Sequence, residues 1–317
     1  MSVSKGVGMQ WFRNFHWKLF VSKLRVKFDQ TDLLDRSAQV GFYFSFAFFP
    51  LLLFLVTLFG LILEKTDALQ NELYRYLAGV MPGTAYRLVR TTMDEIIASS
   101  SGGKLTLGIV ATLWSASAGV DSLRSALEAV YQVDDDAPWW KLKLQSLLFT
   151  FLFIVLLAVA LTIITAGMRL AQTGAGALST SDALTWILVG AQWMFLLFVL
   201  FFVTAAIYNW LPSHCDFRWV WVSPGSVVAI TLWALLTAGF KTYLHFFNSY
   251  NKAYGSLGAV IILMLWMYLT GLALLVGGAI NSILTEMSNE SLNDTAQEDA
   301  IESGSSEENQ QSAGPNV

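Results

Sequence analysis

The side chains of this sequence able to do chemistry are polar and ionisable groups set inside or beside long apolar runs. Arg36, Gln39 and Tyr43 follow one another by three and four residues at the start of the first run, so they share one face of a helix. Asp121 and Arg124 stand three apart at the end of a weaker run, LTLGIVATLWSASAGV. Lys241, Asn248, Tyr250, Asn251 and Tyr254 gather with His245 where a later run ends in FKTYLHFFNSYNKAYGSLG. In lipid each such group needs a partner, protein surroundings or a water-filled path, which makes intramembrane charge a candidate functional site. Arg36 and Lys241 have the chemistry to neutralise a phosphate or carboxylate, with the amide and phenol groups adding hydrogen bonds. Lys241 equally suits a helix end anchored at the membrane surface. Pro50 removes a backbone donor from the first run, so a kink is expected there that would serve as a hinge.

Catalytic groupings of other kinds are missing from the sequence. It contains no GxSxG, no HExxH, no glycine-rich phosphate loop and no paired cysteines. His16, His214 and His245 are far apart and Cys215 is alone, so neither a metal site nor a disulfide framework is expected, and no cofactor is implied. Asp134, Asp135 and Asp136 form a compact acidic run, read as a solvated turn in preference to a metal site.

The elements that must position these groups follow from composition. Apolar residues make up 55% of the 317 residues and charged residues only 13%, about half the usual share for a soluble domain. A soluble monomer this apolar would expose large hydrophobic patches, so lipid is the expected solvent. Crossing the hydrocarbon core takes about 20 mostly apolar residues. Ala38 to Leu63, Ser146 to Met168, Leu184 to Trp210, Val220 to Phe247 and Leu257 to Leu284 meet that need. Leu105 to Val130 is read as a sixth, weakly hydrophobic span that runs on into an amphipathic helix; a re-entrant or surface helix is the competing reading. The fold class expected is all-α, a polytopic bundle of about six transmembrane helices.

Three further segments frame the bundle. Residues 1–35 hold Lys5, Arg13, Lys18, Lys23, Arg25 and Lys27 among aromatic residues, which predicts a cytoplasmic interfacial amphipathic helix on anionic lipid. With the membrane domain at 36–285, that cluster places both termini inside the cell. The external loop 64–104 carries leucines at helical spacing (Leu69, Leu73, Leu77) and predicts two short helices as a lid. Residues 286–317 contain no Lys or Arg and eight acidic residues, which predicts a disordered acidic tail.

Four stretches taken together identify a family resemblance: RSAQVGFYFSFAFFPLLLFL, LWSASAGVDSLRSALEAVYQV, NWLPSHCDFRWVWVSPGS and SYNKAYGSLGAVIILMLWMYLTGLALLVGGAIN. Over most of Asp29 to Leu284 the chain resembles the YihY/virulence factor BrkB family of bacterial inner-membrane proteins, historically labelled ribonuclease BN. Members often carry an acid in the last span, in a pattern like GAELN. Here Gly277, Gly278, Ala279, Ile280 and Asn281 stand at those positions, without the carboxylate.

The resemblance implies an envelope role. The reading is a non-enzymatic inner-membrane transporter or flippase-like handler of lipid or lipid-linked material, its partners membrane lipids with anionic or lipopolysaccharide-related headgroups. Arg36, Gln39, Tyr43, Asp121, Arg124, Lys241, Asn248, Tyr250, Asn251 and Tyr254 would line a cavity between spans. The alternative is a membrane scaffold that binds envelope proteins or its own copies. The old ribonuclease label fits less well, because the sequence shows neither a carboxylate-held metal nor a basic, aromatic surface for RNA, and no nucleic-acid partner is expected.

Overall fold

The computed structural model describes residues 17–62, 74–75, 90, 102–133, 137–177, 182–212, 220–246 and 256–312. Among these the chain is helical without a strand. Its elements are α1 (Trp17–Gln30), α2 (Leu33–Ile62), α3 (Gly102–Tyr131), α4 (Trp139–Ala177), α5 (Asp182–Trp210), α6 (Pro224–Phe246) and α7 (Ser256–Ser312). Among the described residues, four stretches are long and apolar enough to cross a membrane: Trp139–Ala160, Gly190–Trp210, Pro224–Leu244 and Val260–Glu290. α2 and α3 each run 30 residues, about 45 Å at 1.5 Å per residue. Leu105 to Val130, expected as a weak second span, lies within one continuous helix, α3. Pro50 lies inside α2, whose helix continues past it to Ile62.

Side-chain contacts fix the topology. Lys27 meets Glu286, Gln145 reaches the carbonyl of Trp210, Tyr208 bonds to Leu274, and Gly225 bonds to Asn281. The starts of α2, α4 and α6 and the ends of α3 and α5 therefore gather at one end of the bundle, beside α1. The helices alternate in direction. Four exposed tryptophans lie at the same end, Trp139, Trp140 and Trp210 at helix termini and Trp221 three residues before α6. Such a ring of indoles is what a membrane–water boundary selects.

Helix ends at this level are closed by local chemistry. Gln132 has φ 55°, and the amides of Gln132 and Val133 bond back to the carbonyls of Ala129 and Glu128, a Schellman ending with glutamine where glycine is usual. Asp32, at φ 46°, turns the chain from α1 into α2.

The core lies where α2, α3 and α7 meet. Leu33, Val40, Leu123, Leu127, Val130, Leu275 and Ala279 form one buried cluster with Leu211 and Ala229. Close approach is needed here: a Cβ on Gly41 would stand 2.6 Å from Tyr268 Cα. Small residues let membrane helices pack backbone to backbone, since lipid supplies no hydrophobic drive for their association.

One expectation changes and another gains detail. α1, expected as an interfacial helix, also packs inward: Phe20 is buried beside Ile280 and Ile283, and Leu24 and Phe28 pack on the main core. Its exposed side carries Lys18 and Arg25 with Trp17, Leu19, Val21 and Val26. The segment from Glu286, expected to be disordered, instead continues α7 through Ser312. Charge explains the first turns, since Glu286 and Glu290 lie against Lys27 and Lys23 at 2.5 and 2.7 Å. Composition alone could not reveal this, because the neutralising cations are more than 250 residues away. In the loop 64–104, Tyr74, Arg75 and Arg90 are helical, and the Arg90 guanidinium lies 5.6 Å from the Tyr74 ring centroid. The rest of that expectation lies outside the described residues, as do Asp134, Asp135 and Asp136.

Candidate functional site

Two ion pairs lie along α3 near the tryptophan ring, one shared with α4 and one within α3. Lys143 begins the second turn of α4, where a lysine would ordinarily reach outward to headgroups. It turns inward instead. Its Nζ donates to Asp121 Oδ2 at 2.6 Å and to Ser117 Oγ at 2.7 Å, and sits 4.6 Å from the centroid of the Trp114 ring. Asp121, Ser117 and Trp114 lie at spacings of three and four residues, so one stripe of α3 supplies all three partners. Trp139 stands 6.2 Å from Trp114, ring to ring, and both are exposed. One turn along α3, Arg124 Nη1 donates to Glu128 Oε1 at 2.6 Å, both side chains being nearly buried. The cluster is neutral, two cations against two carboxylates, which limits the cost of holding charge away from bulk water.

A second polar node joins α3, α5, α6 and α7. The sequence Ser223-Pro224-Gly225-Ser226 starts α6 by a reciprocal cap. Ser223 Oγ accepts from the Ser226 amide at 3.1 Å, Ser226 Oγ accepts from the Ser223 amide at 3.0 Å, and Pro224 occupies the first helical position. The Gly225 amide, unpaired by its own helix, donates to Asn281 Oδ1 at 2.8 Å, and Asn281 Nδ2 donates to Ser223 Oγ at 2.9 Å. The Tyr131 side chain also hydrogen-bonds to Asn281. Beside them Tyr208 donates to the Leu274 carbonyl at 2.8 Å. Gly225 and Gly277 face each other so closely that a Cβ on Gly277 would be 2.5 Å from the Gly225 carbonyl oxygen. This node ties helices; its polar groups are already engaged with one another.

The expected site residues divide into four groups. Asp121 pairs across to Lys143 on α4, while Arg124 pairs with Glu128 one turn along α3, so the two do not pair with each other. Arg36 is half-buried and its Nε donates to the Thr31 carbonyl at 2.9 Å, while Gln39 and Tyr43 are exposed; Ser37, Val40, Gly41 and Ser45 form the buried side of α2. Lys241 is exposed on α6, remote in sequence from the helix ends at the tryptophan ring. Asn248, Tyr250, Asn251 and Tyr254 lie outside the described residues, as does the side chain of His245.

Lys143, Ser117 and Glu128 escaped the sequence reading. A lysine four residues after Trp139 reads as a boundary anchor, and nothing linear links it to an aspartate 22 residues earlier. The signal that was available is the i, i+4 pair Arg124–Glu128 and the polar stripe Ser117–Asp121–Arg124.

A family model described as virulence factor BrkB matches residues 24–302. The chain is 28% identical over 265 residues to a Bacillus subtilis protein named putative ribonuclease-like protein YfkH, an overlap covering 84% of this chain and 94% of that one. It is 24% identical over 261 residues to a UPF0761 membrane protein of Stenotrophomonas maltophilia, covering 79% of this chain and 57% of the relative. A UPF0761 membrane protein of Coxiella burnetii is 28% identical over 105 residues, 33% of this chain and 38% of that protein. The chain thus spans less than two thirds of the length of these two UPF0761 relatives. No solved structure matches it.

Proposed function

The chain belongs to the virulence factor BrkB family of membrane proteins, and on that footing we propose that it is a transporter or flippase-like handler of lipid or lipid-linked envelope material with a charged, phosphate-bearing headgroup. The observation that carries this reading is the Asp121–Lys143–Ser117 cluster. A lysine free to snorkel into water is drawn inward between helices, beside two exposed indoles at the membrane boundary. Charges placed inside a membrane bundle are costly, and they mark substrate or ion paths more often than packing. The membrane is the bacterial inner membrane in this reading, with the α1 end of the bundle cytoplasmic, because Lys18 and Arg25 remain exposed there.

The test is translocation of fluorescent phospholipid in vesicles holding the purified full-length protein. Translocation by wild type that falls by tenfold or more in Lys143→Gln, with the variant still folded, supports the reading. A folded wild type that moves no lipid removes it. A scaffold role is the second reading, and one observation favours it: Lys23–Glu290, Lys27–Glu286 and Lys143–Asp121 each tie one helix to another. Such pairs would serve a static bundle equally well. Lipid-independent capture of an envelope protein or a second copy, with no translocation, would select it.

A further inference from the structure

The partners of Lys143 make a receptor for a primary ammonium. A carboxylate at 2.6 Å, a hydroxyl at 2.7 Å and the face of an indole at 4.6 Å surround its Nζ, an arrangement that satisfies N–H donors and positive charge together. The receptor is reachable: Trp114 is 47% exposed and the Asp121 side chain 29%, whereas that of Lys143 is only 11% exposed. The ammonium is the deeper half of the pair and the carboxylate the more open half.

A ligand entering this site must open the ion pair, and charge balance decides which ligands can do so. A simple anion taken by Lys143 would leave Asp121 without its partner at the edge of the membrane. A simple cation taken by Asp121 would strand Lys143. Either leaves one charge uncompensated where water is scarce, which costs far more than the ligand's own contact supplies. A zwitterion carrying both groups avoids the penalty. Its ammonium takes the place vacated by Nζ, against Asp121, Ser117 and Trp114, while its phosphate takes the displaced Lys143. One pair becomes two and no charge is stranded.

We propose that the α3–α4 cluster is a binding site for a headgroup bearing both a phosphate and a primary ammonium, with Lys143 as the tethered occupant of the ammonium subsite. The proposal rests on the lipid-handling reading above and narrows its substrate class. Trp139, 69% exposed and beside Trp114, supplies a second indole at headgroup level. No covalent step is involved.

The test is equilibrium binding to the full-length protein in detergent micelles, using four probes: glycerophosphoethanolamine, dihexanoyl phosphatidylethanolamine, its choline counterpart and dihexanoyl phosphatidic acid. The ethanolamine lipid is expected to bind about tenfold tighter than the choline lipid, which has no N–H donors, and tighter than phosphatidic acid, which has no ammonium. In Asp121→Asn that preference disappears and phosphatidic acid binding strengthens, because Lys143 is released. In Lys143→Gln affinity for every phosphate probe falls. Lys141→Gln, an exposed lysine over Trp140, serves as control and leaves the preference intact. Ser117→Ala and Trp114→Leu, which alter no charge, lower the ethanolamine preference about threefold even if the charge variants fail to fold. Binding of glycerophosphoethanolamine as tight as that of the lipid identifies a soluble ligand; much weaker binding identifies a lipid. Equal affinity for the ethanolamine, choline and phosphatidic acid lipids, or a preference that survives both Asp121→Asn and Trp114→Leu, overturns the proposal. Ethanolamine preference without translocation in vesicles keeps this inference and removes the transport reading; translocation without the preference does the reverse.

Discussion

Replacing Asn281 by alanine should loosen the attachment of α6 to α7 more than any other single side-chain truncation at the end of the bundle near α1. Asn281 accepts from the Gly225 amide at 2.8 Å, donates to Ser223 Oγ at 2.9 Å and hydrogen-bonds to Tyr131. Three bonds at the ~0.6 kcal/mol average for polar contacts in membrane helices give a lower figure of about 2 kcal/mol. The Gly225 amide is a first-turn donor with no partner in its own helix, so leaving it unsatisfied raises the loss to about 4 kcal/mol. Asn281→Leu, similar in volume and unable to hydrogen-bond, should lose as much. Asn281→Asp should stay within about 1 kcal/mol of wild type. Its oxygens can still accept from Gly225, the Ser223 hydroxyl can rotate to donate, and a negative charge is favoured at the N-terminus of α6. The assay is unfolding in mixed micelles as the fraction of dodecyl sulfate rises, followed by circular dichroism. If Asn281→Ala unfolds at the same detergent fraction as wild type, or Asn281→Asp loses as much as alanine, the capping argument is wrong.

Three other perturbations follow from the packing and the charges. Gly225→Ala should cost roughly 1–3 kcal/mol, because its Cβ would meet the Gly277 carbonyl and stand 2.5 Å from Asn281 Oδ1, whereas Gly239→Ala, with nothing within 4 Å, should be neutral or slightly stabilising in the same unfolding assay. Lys27→Glu should release α1 from α7 at a cost of about 1–2 kcal/mol, discounted for the 42% exposure of Glu286. Hydrogen exchange in α1 should rise accordingly, and Lys27→Glu with Glu286→Lys should restore more than half of its protection. Tyr208→Phe should lose about 1 kcal/mol by removing the 2.8 Å bond to the Leu274 carbonyl, read as an earlier transition in the dodecyl sulfate titration.

The solvent and the class of fold were legible along the chain alone. Long apolar runs with little charge fit only helices in lipid, because lipid leaves no other way to pair the backbone of a single segment. The sequence also marked Asp121 and Arg124 as charges needing partners. These properties belong to local composition and to the 3.6-residue period, which a linear reading can measure.

Which groups satisfy one another was decided only by the tertiary structure. Lys143 reads as a boundary anchor until α3 and α4 are packed, when it becomes the partner of Asp121. Asn281 reads as a residue where relatives resembling this chain place a carboxylate nearby, until α6 is seen to start against it. Glu286 and Glu290 read as a solvated tail until α1 supplies Lys27 and Lys23. In each case the partners come from different helices, at separations from 22 to 267 residues. Hydrogen bonds and ion pairs act over a few ångströms in space and carry no trace along the chain, so only the packed bundle reveals them.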